Sequence, residues 1–313
     1  MSLRAGTIAG VLLAALLPAR ALGHGVAPAP DLPGVLLAWN LDPLALLGIG
    51  LAGAAYAWGV RRVNAPRPRR PHPRGQSLAF GGGLAALVVA LTSPIEAYAD
   101  TLFSVHMVQH LLLQLVAAPL LLLGAPVTLA LRAAGPRLRR GLLVILHSRL
   151  VALVSFPLLG WIAFAAANFG WHFSPLYNAA LENTALHYVE HATFMLAGLL
   201  FWWPALGVDP ARWRLAHPAR LFYLFLAMPL NSFLGVALMN ASTVLYPHYA
   251  SFVRDWGPSV LEDQALGGLL MWTLGDVAFL VAMAGVVVAW VRHEDRRTAR
   301  EDARLSQTPS APH

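Results

Sequence analysis

Seven apolar runs, each about as long as a bilayer is thick, alternate along this chain with arginine-rich and arginine-poor connectors, and a bundle of membrane-spanning helices is the fold that accommodates such a pattern. The runs fall at about 40–60, 77–97, 105–131, 142–168, 185–206, 220–245 and 263–291. Arginine is concentrated in RRVNAPRPRRPHPRG, RAAGPRLRRG, DPARWRLAHPAR and the tail VRHEDRRTAREDAR, whereas 97–104, 169–184 and 246–262 carry only Arg254. By the positive-inside rule the rich connectors are cytoplasmic and the poor ones face out. The expected fold class is all-α: a polytopic membrane helix bundle of about seven transmembrane helices following an N-terminal signal-like segment.

Composition agrees, with 58% hydrophobic and 12% charged residues and a mean hydropathy of +0.60. The formal charge of +7 is carried by arginines scattered over connectors, not gathered on one soluble face, which argues against a nucleic-acid partner. Cysteine is absent, so disulfides and thiolate metal sites are excluded, and imidazole, carboxylate or thioether must hold any metal. Residues 1–23, MSLRAGTIAGVLLAALLPARALG, read as a cleavable signal peptide or else an extra span, with His24 the first mature residue in the former case. In both cases 24–38 face out. A single helical membrane domain is expected over 24–291, with a polar cytoplasmic tail at 292–313. The fourth run is the least regular, since RLRRGLLVILHSRLV has the pattern of an interfacial amphipathic helix.

Two histidine pairs share one spacing, His106 and His110 in HMVQH and His187 and His191 in HYVEH. A separation of four puts both imidazoles of a pair on one helix face. The third and fifth spans both run inward from outside, so all four histidines belong to the first turns of their helices, at one depth in the outer leaflet. Glu190 precedes His191, and Glu262 and Asp263 open the seventh span, which also enters from outside. The expected metal site is therefore His106, His110, His187 and His191, with Asp263 and Glu190 as ligands or as groups that orient them.

Neutral imidazoles suit copper, as Cu(I) or Cu(II), and zinc also fits four nitrogens. The competing reading of such histidines is interfacial hydrogen bonding, and it is preferred for His172 and His248, alone in WHFSPLY and YPHY, and for His72, His147, His217 and His293 on the cytoplasmic side. Of the methionines, Met107, Met239 and Met271 lie near the outer level, but packing is the ordinary use of such residues and they stand outside the expected ligand set. Asp276, deep in the seventh span, is expected to bond Asn231 or Ser232 of the sixth. Two other functions remain open on the residues: a membrane haem protein ligated by one histidine from each helix, and a copper or proton transporter using Asp276 as a station.

The runs SVHMVQHLLLQLVAAPLLLLGAP, HYVEHATFMLAGLLFWWPALG and EDQALGGLLMW, in that order and at matching topology, resemble signature segments of the CtaG family of multi-spanning cytochrome c oxidase assembly factors associated with the caa-type enzyme. The resemblance covers about 40–291. It implies a non-enzymatic role in maturing a haem-copper oxidase of the respiratory chain, most simply by handling copper at the periplasmic side of the bacterial inner (plasma) membrane. It also implies oxidase subunits, and periplasmic copper chaperones, as partners. A cysteine-dependent, single-span copper chaperone that shares the family's name in some bacteria is a different protein.

Overall fold

The computed structural model describes residues 29–65 and 70–305, all of them helix or connector with no strand. The signal-like segment 1–23 and His24 lie outside the described residues. A short helix α1 (Leu32–Leu37) precedes α2 (Pro43–Val63). Asp42 starts α2, its Oδ1 accepting from the amides of Leu44 at 2.7 Å and Ala45 at 3.1 Å, with Pro43 at the first helical position. Helices α3 (Arg74–Thr92) and α4 (Pro94–Ala99) meet at Ser93, whose hydroxyl accepts from the Ile95 amide at 3.1 Å.

Helix α5 (Phe103–Leu111) passes without a break into a π-helical segment (Leu112–Ala117) and then α6 (Ala118–Leu123). The wider winding inserts an extra residue and rotates the face that follows. Gly124 and a left-handed Ala125, φ 50°, then turn the chain into α7 (Pro126–Ala133). The first amides of α7, Val127 and Thr128, donate to Asp209 at 3.1 and 2.8 Å from across the bundle.

The run expected to span at 142–168 is three helices: α8 (Pro136–Leu146), α9 (Arg149–Val154) and α10 (Pro157–His172). Ser148 caps α9 through the Val151 amide at 3.2 Å, and Pro157 takes the first position of α10, where no amide hydrogen is needed. Helix α8 buries no residue, as an amphipathic interfacial helix would. Beyond α11 (Pro175–Glu182) come α12 (Thr184–Leu206), α13 (His217–Met239), α14 (Pro247–Ala250) and α15 (Val260–Leu305). Among the described residues five stretches are long and apolar enough to cross a membrane: Pro43–Val63, Arg74–Ala99, Phe103–Ala133, His217–Met239 and Val260–Ala303. These coincide with five of the seven expected spans. The other two are the broken α8–α10 stretch and α12, which at 23 residues has the length but carries His187, Glu190 and His191 in its first two turns.

The bundle is apolar on both its inside and its outside. Leu51, Phe222 and Val281 are 62%, 63% and 67% exposed, a surface suited to lipid rather than water. Inside, Leu115, Phe164, Phe201, Trp202, Leu224 and Phe279 form a continuous core. Helices α13 and α15 pack closely, and a methyl added to Gly235 would lie 2.7 Å from the Gly268 carbonyl oxygen. The tail differs from expectation in its local structure: α15 continues through it to Leu305, with Arg297 pairing to Glu294 at 3.9 Å and to Glu301 at 3.0 Å one turn away on either side. Those pairs support a helix that has no apolar stripe of its own.

Candidate metal centre

The two HxxxH pairs meet. Helices α5 and α12 lie so that the ring centroids of His106 and His110 are 4.4 Å apart, those of His187 and His191 4.1 Å, and across the helices His106 lies 5.3 Å from His187 and His110 5.8 Å from His191. Glu190 enters the same space, with Oε2 3.8 Å from His106 Nε2 and Oε1 3.6 Å from His110 Nε2. His106, His110, Glu190 and His191 are buried, and His187 is half-buried. Donor atoms of His106, His110 and His191 lie within 4.8 Å of one another, as do those of His106, His187 and Glu190.

The hydrogen-bond network fixes one tautomer. Tyr249 donates its hydroxyl proton to the Ala99 carbonyl at 3.2 Å, so the contact between Tyr249 Oη and His106 Nδ1 at 3.1 Å carries the imidazole proton. His106 Nε2 then turns a lone pair toward the Glu190 carboxylate, an acceptor facing an acceptor. Partners are lacking across the cluster: His106 Nε2, both nitrogens of His110, His191 Nε2 and both oxygens of Glu190 are buried without a hydrogen-bond partner. Leaving such atoms unsatisfied costs ~1–3 kcal/mol each. A cation held among them meets that need, and imidazole with carboxylate is a donor set that copper and zinc both accept, so the residues fit a metal.

Asp263 is placed beside this cluster, not within either donor set. Its carboxylate accepts from the amide of Phe103 at 2.6 Å and from the amide of Ser104 at 3.4 Å, capping α5 from another helix. It thereby fixes the turn that carries His106. Gln109, between the paired histidines, donates to the Ala90 carbonyl at 2.8 Å and to Glu96. On the side away from these contacts Tyr188 donates to Asp42.

Three residues join the site that the HxxxH spacing does not reveal. His172, expected to be structural, stands with its ring 6.2 Å from His110 and perpendicular to it, at the end of α10. Tyr177 and Tyr249, linked by their hydroxyls at 3.0 Å, wall the cluster from α11 and α14. The signal available for His172 was its topology, since the outer end of the fourth span shares the level of the paired histidines. His248, by contrast, meets Tyr249 and Phe252 edge to face and stays outside the donor sets. In the lower half of the bundle Ser232 donates to Asp276 at 2.8 Å, the bond expected of that carboxylate, while Asn231 bonds the Met271 carbonyl at 3.0 Å.

Relatives of the chain occur in mycobacteria. It is 35% identical over 291 residues to an uncharacterized protein of Mycobacterium bovis and, to the same extent, to one of Mycobacterium tuberculosis, each match covering 90% of this chain and 43% of the relative. An uncharacterized protein of Mycobacterium leprae is 32% identical over 295 residues, 92% of this chain and 44% of that one. The chain thus spans less than half the length of these curated relatives. No solved structure matches it. The family model for the cytochrome c oxidase caa3 assembly factor matches residues 54–293, and with the paired histidines brought together in one buried cluster the chain belongs to that family.

Proposed function

We propose that this protein assists assembly of a haem-copper oxidase by holding copper in the cluster of His106, His110, His187, His191 and Glu190, with Asp263 fixing the helix turn that presents His106. The observation that carries the reading is the set of buried donor atoms without hydrogen bonds, all converging on one place. Arg61 and Arg62 lie in the last turn of α2 and Arg139 and Arg140 in α8, toward the helix ends opposite the cluster, and the positive-inside rule supports an outer-face position for it. In this orientation α10 and α12 complete a set of seven spans. Asp42, Glu96, Asp100 and Glu182 lie in that outer region and attract cations to it. The role is one of holding and transfer, without covalent catalysis.

Metal content and an absorption spectrum of detergent-purified protein test the proposal, alongside a variant with His106, His110, His187 and His191 all changed to Ala. Copper in the wild type and none in a folded variant is the expected result. A Soret band would replace copper by haem, and wild-type protein without metal after loading would return the histidines to a structural role. The transport reading has less to stand on, since Asp276 is engaged by Ser232.

A further inference from the structure

His172 and Met107 meet at the wall of the cluster in a contact that the four-histidine site does not use. His172 Nδ1 lies 2.7 Å from the Asn168 carbonyl oxygen, which only accepts, so Nδ1 carries the proton and Nε2 presents its lone pair. That lone pair is 3.2 Å from Met107 Sδ, and a thioether has no proton to offer. The two side chains are 3% and 0% exposed. Two electron pairs therefore face each other in a dry interior, where neither can turn to water. A protonated His172 does not resolve the conflict, because no carboxylate among the described residues lies within ion-pairing distance of it to balance the charge.

A soft cation between the two atoms does resolve it. Ligands held at ~2.0 Å through nitrogen and ~2.3 Å through sulfur stand about this far apart when they share one ion. Thioether and imidazole together favour Cu(I) over the harder divalent ions. His110 is the neighbour on the cluster side, three residues along the same helix from Met107, and its two ring nitrogens have no hydrogen-bond partner. We infer that Met107 and His172, with His110, form a second metal position selective for Cu(I), adjoining the histidine and carboxylate cluster. The inference deepens the copper reading and rests on it for the identity of the ion. Copper then occupies two settings in one protein, one of nitrogen and oxygen donors and one that includes sulfur.

Full-length protein in detergent, loaded anaerobically with Cu(I) alone, is examined by X-ray absorption at the copper edge and by competition with a chromogenic Cu(I) chelator. A sulfur scatterer at ~2.3 Å is expected in the wild type. In Met107→Leu, a substitution that conserves volume, the sulfur scatterer disappears and Cu(I) affinity falls at least ~10-fold while Zn(II) binding is unchanged. A triple variant, His106, His187 and His191 to Ala, separates the two readings, since it loses Zn(II) but keeps copper bound to sulfur. Wild-type Cu(I) with no sulfur neighbour, or Met107→Leu with wild-type Cu(I) affinity and scattering, overturns the second position. Retention of Zn(II) by the triple variant overturns the cluster instead.

Discussion

Glu190 and His110 approach to 3.6 Å in the interior of the bundle and form no hydrogen bond. A carboxylate and an imidazole kept that close without sharing a proton leave room for a cation to take both. Glu190→Gln preserves the shape and removes the charge. Zn(II) and Cu(II) affinity is expected to fall ~10–100-fold in chelator competition, and unchanged affinity would place Glu190 outside the site.

Tyr249 holds His106 by its Nδ1 and so aims Nε2 at the cluster. In Tyr249→Phe the ring still packs among Phe103 and Tyr177 but the imidazole loses its anchor. Metal stoichiometry should be retained and affinity reduced by about 10-fold. Equal affinity would show that the helix alone orients His106.

The crossing of α13 and α15 tolerates no side chain at Gly235, where a new Cβ would meet the Gly268 carbonyl at 2.7 Å and the Trp272 amide nitrogen at 2.8 Å. Gly235→Ala is expected to cost ~1–3 kcal/mol by forcing two backbones apart. Gly285→Ala on α15 meets open space and serves as the control, raising stability slightly through helix propensity. Thermal unfolding in detergent compares the two, and similar midpoints would mean that the helices separate at little cost.

His72 ties the connector before α3 to the α2–α6 corner: its amide donates to Asn64 at 2.8 Å and its Nε2 lies 2.9 Å from the Tyr56 hydroxyl, which donates to the Gly124 carbonyl. Burial, then the charge of Arg132, holds its imidazole below the usual histidine range. The folded protein thus resists a proton that the unfolded chain accepts below ~6.5, so this contribution to stability is whole above that pH and is lost as pH falls through and below it. Between pH 7.5 and 5.5 the unfolding midpoint of His72→Gln should fall less steeply than that of the wild type. Parallel curves would remove His72 as a source of acid sensitivity.

The paired histidines were legible because a spacing of four fixes two side chains on one face whatever the rest of the chain does. His172 and Tyr249 were not, since they reach Met107 and His106 from 65 and 143 residues away, and only the packing of α10 and α14 brings them there. Asp263 was legible in depth but not in partner: its carboxylate is spent on the amides of Phe103 and Ser104, a cap supplied between helices that no local capping pattern announces. The amphipathic start of the fourth run was legible, but its breaks were not, because a sum of apolar residues is blind to Ser148, which caps one new helix inside it, and to Pro157, which begins another. The π-helical turn after Leu111 leaves no comparable mark in the sequence.

The wall of Phe164, Phe201, Trp202 and Phe279 beneath the histidines has a consequence for traffic. It bounds the cluster with aromatic rings on the inner side, and His187, half-buried, is the most exposed of the four paired histidines. Under the proposed function, an ion held by the cluster exchanges most readily on the side of His187. If copper is the proposed cargo, a donor and a recipient that both use this side must take turns there, and the order of their visits, more than the strength of either embrace, sets the direction of transfer.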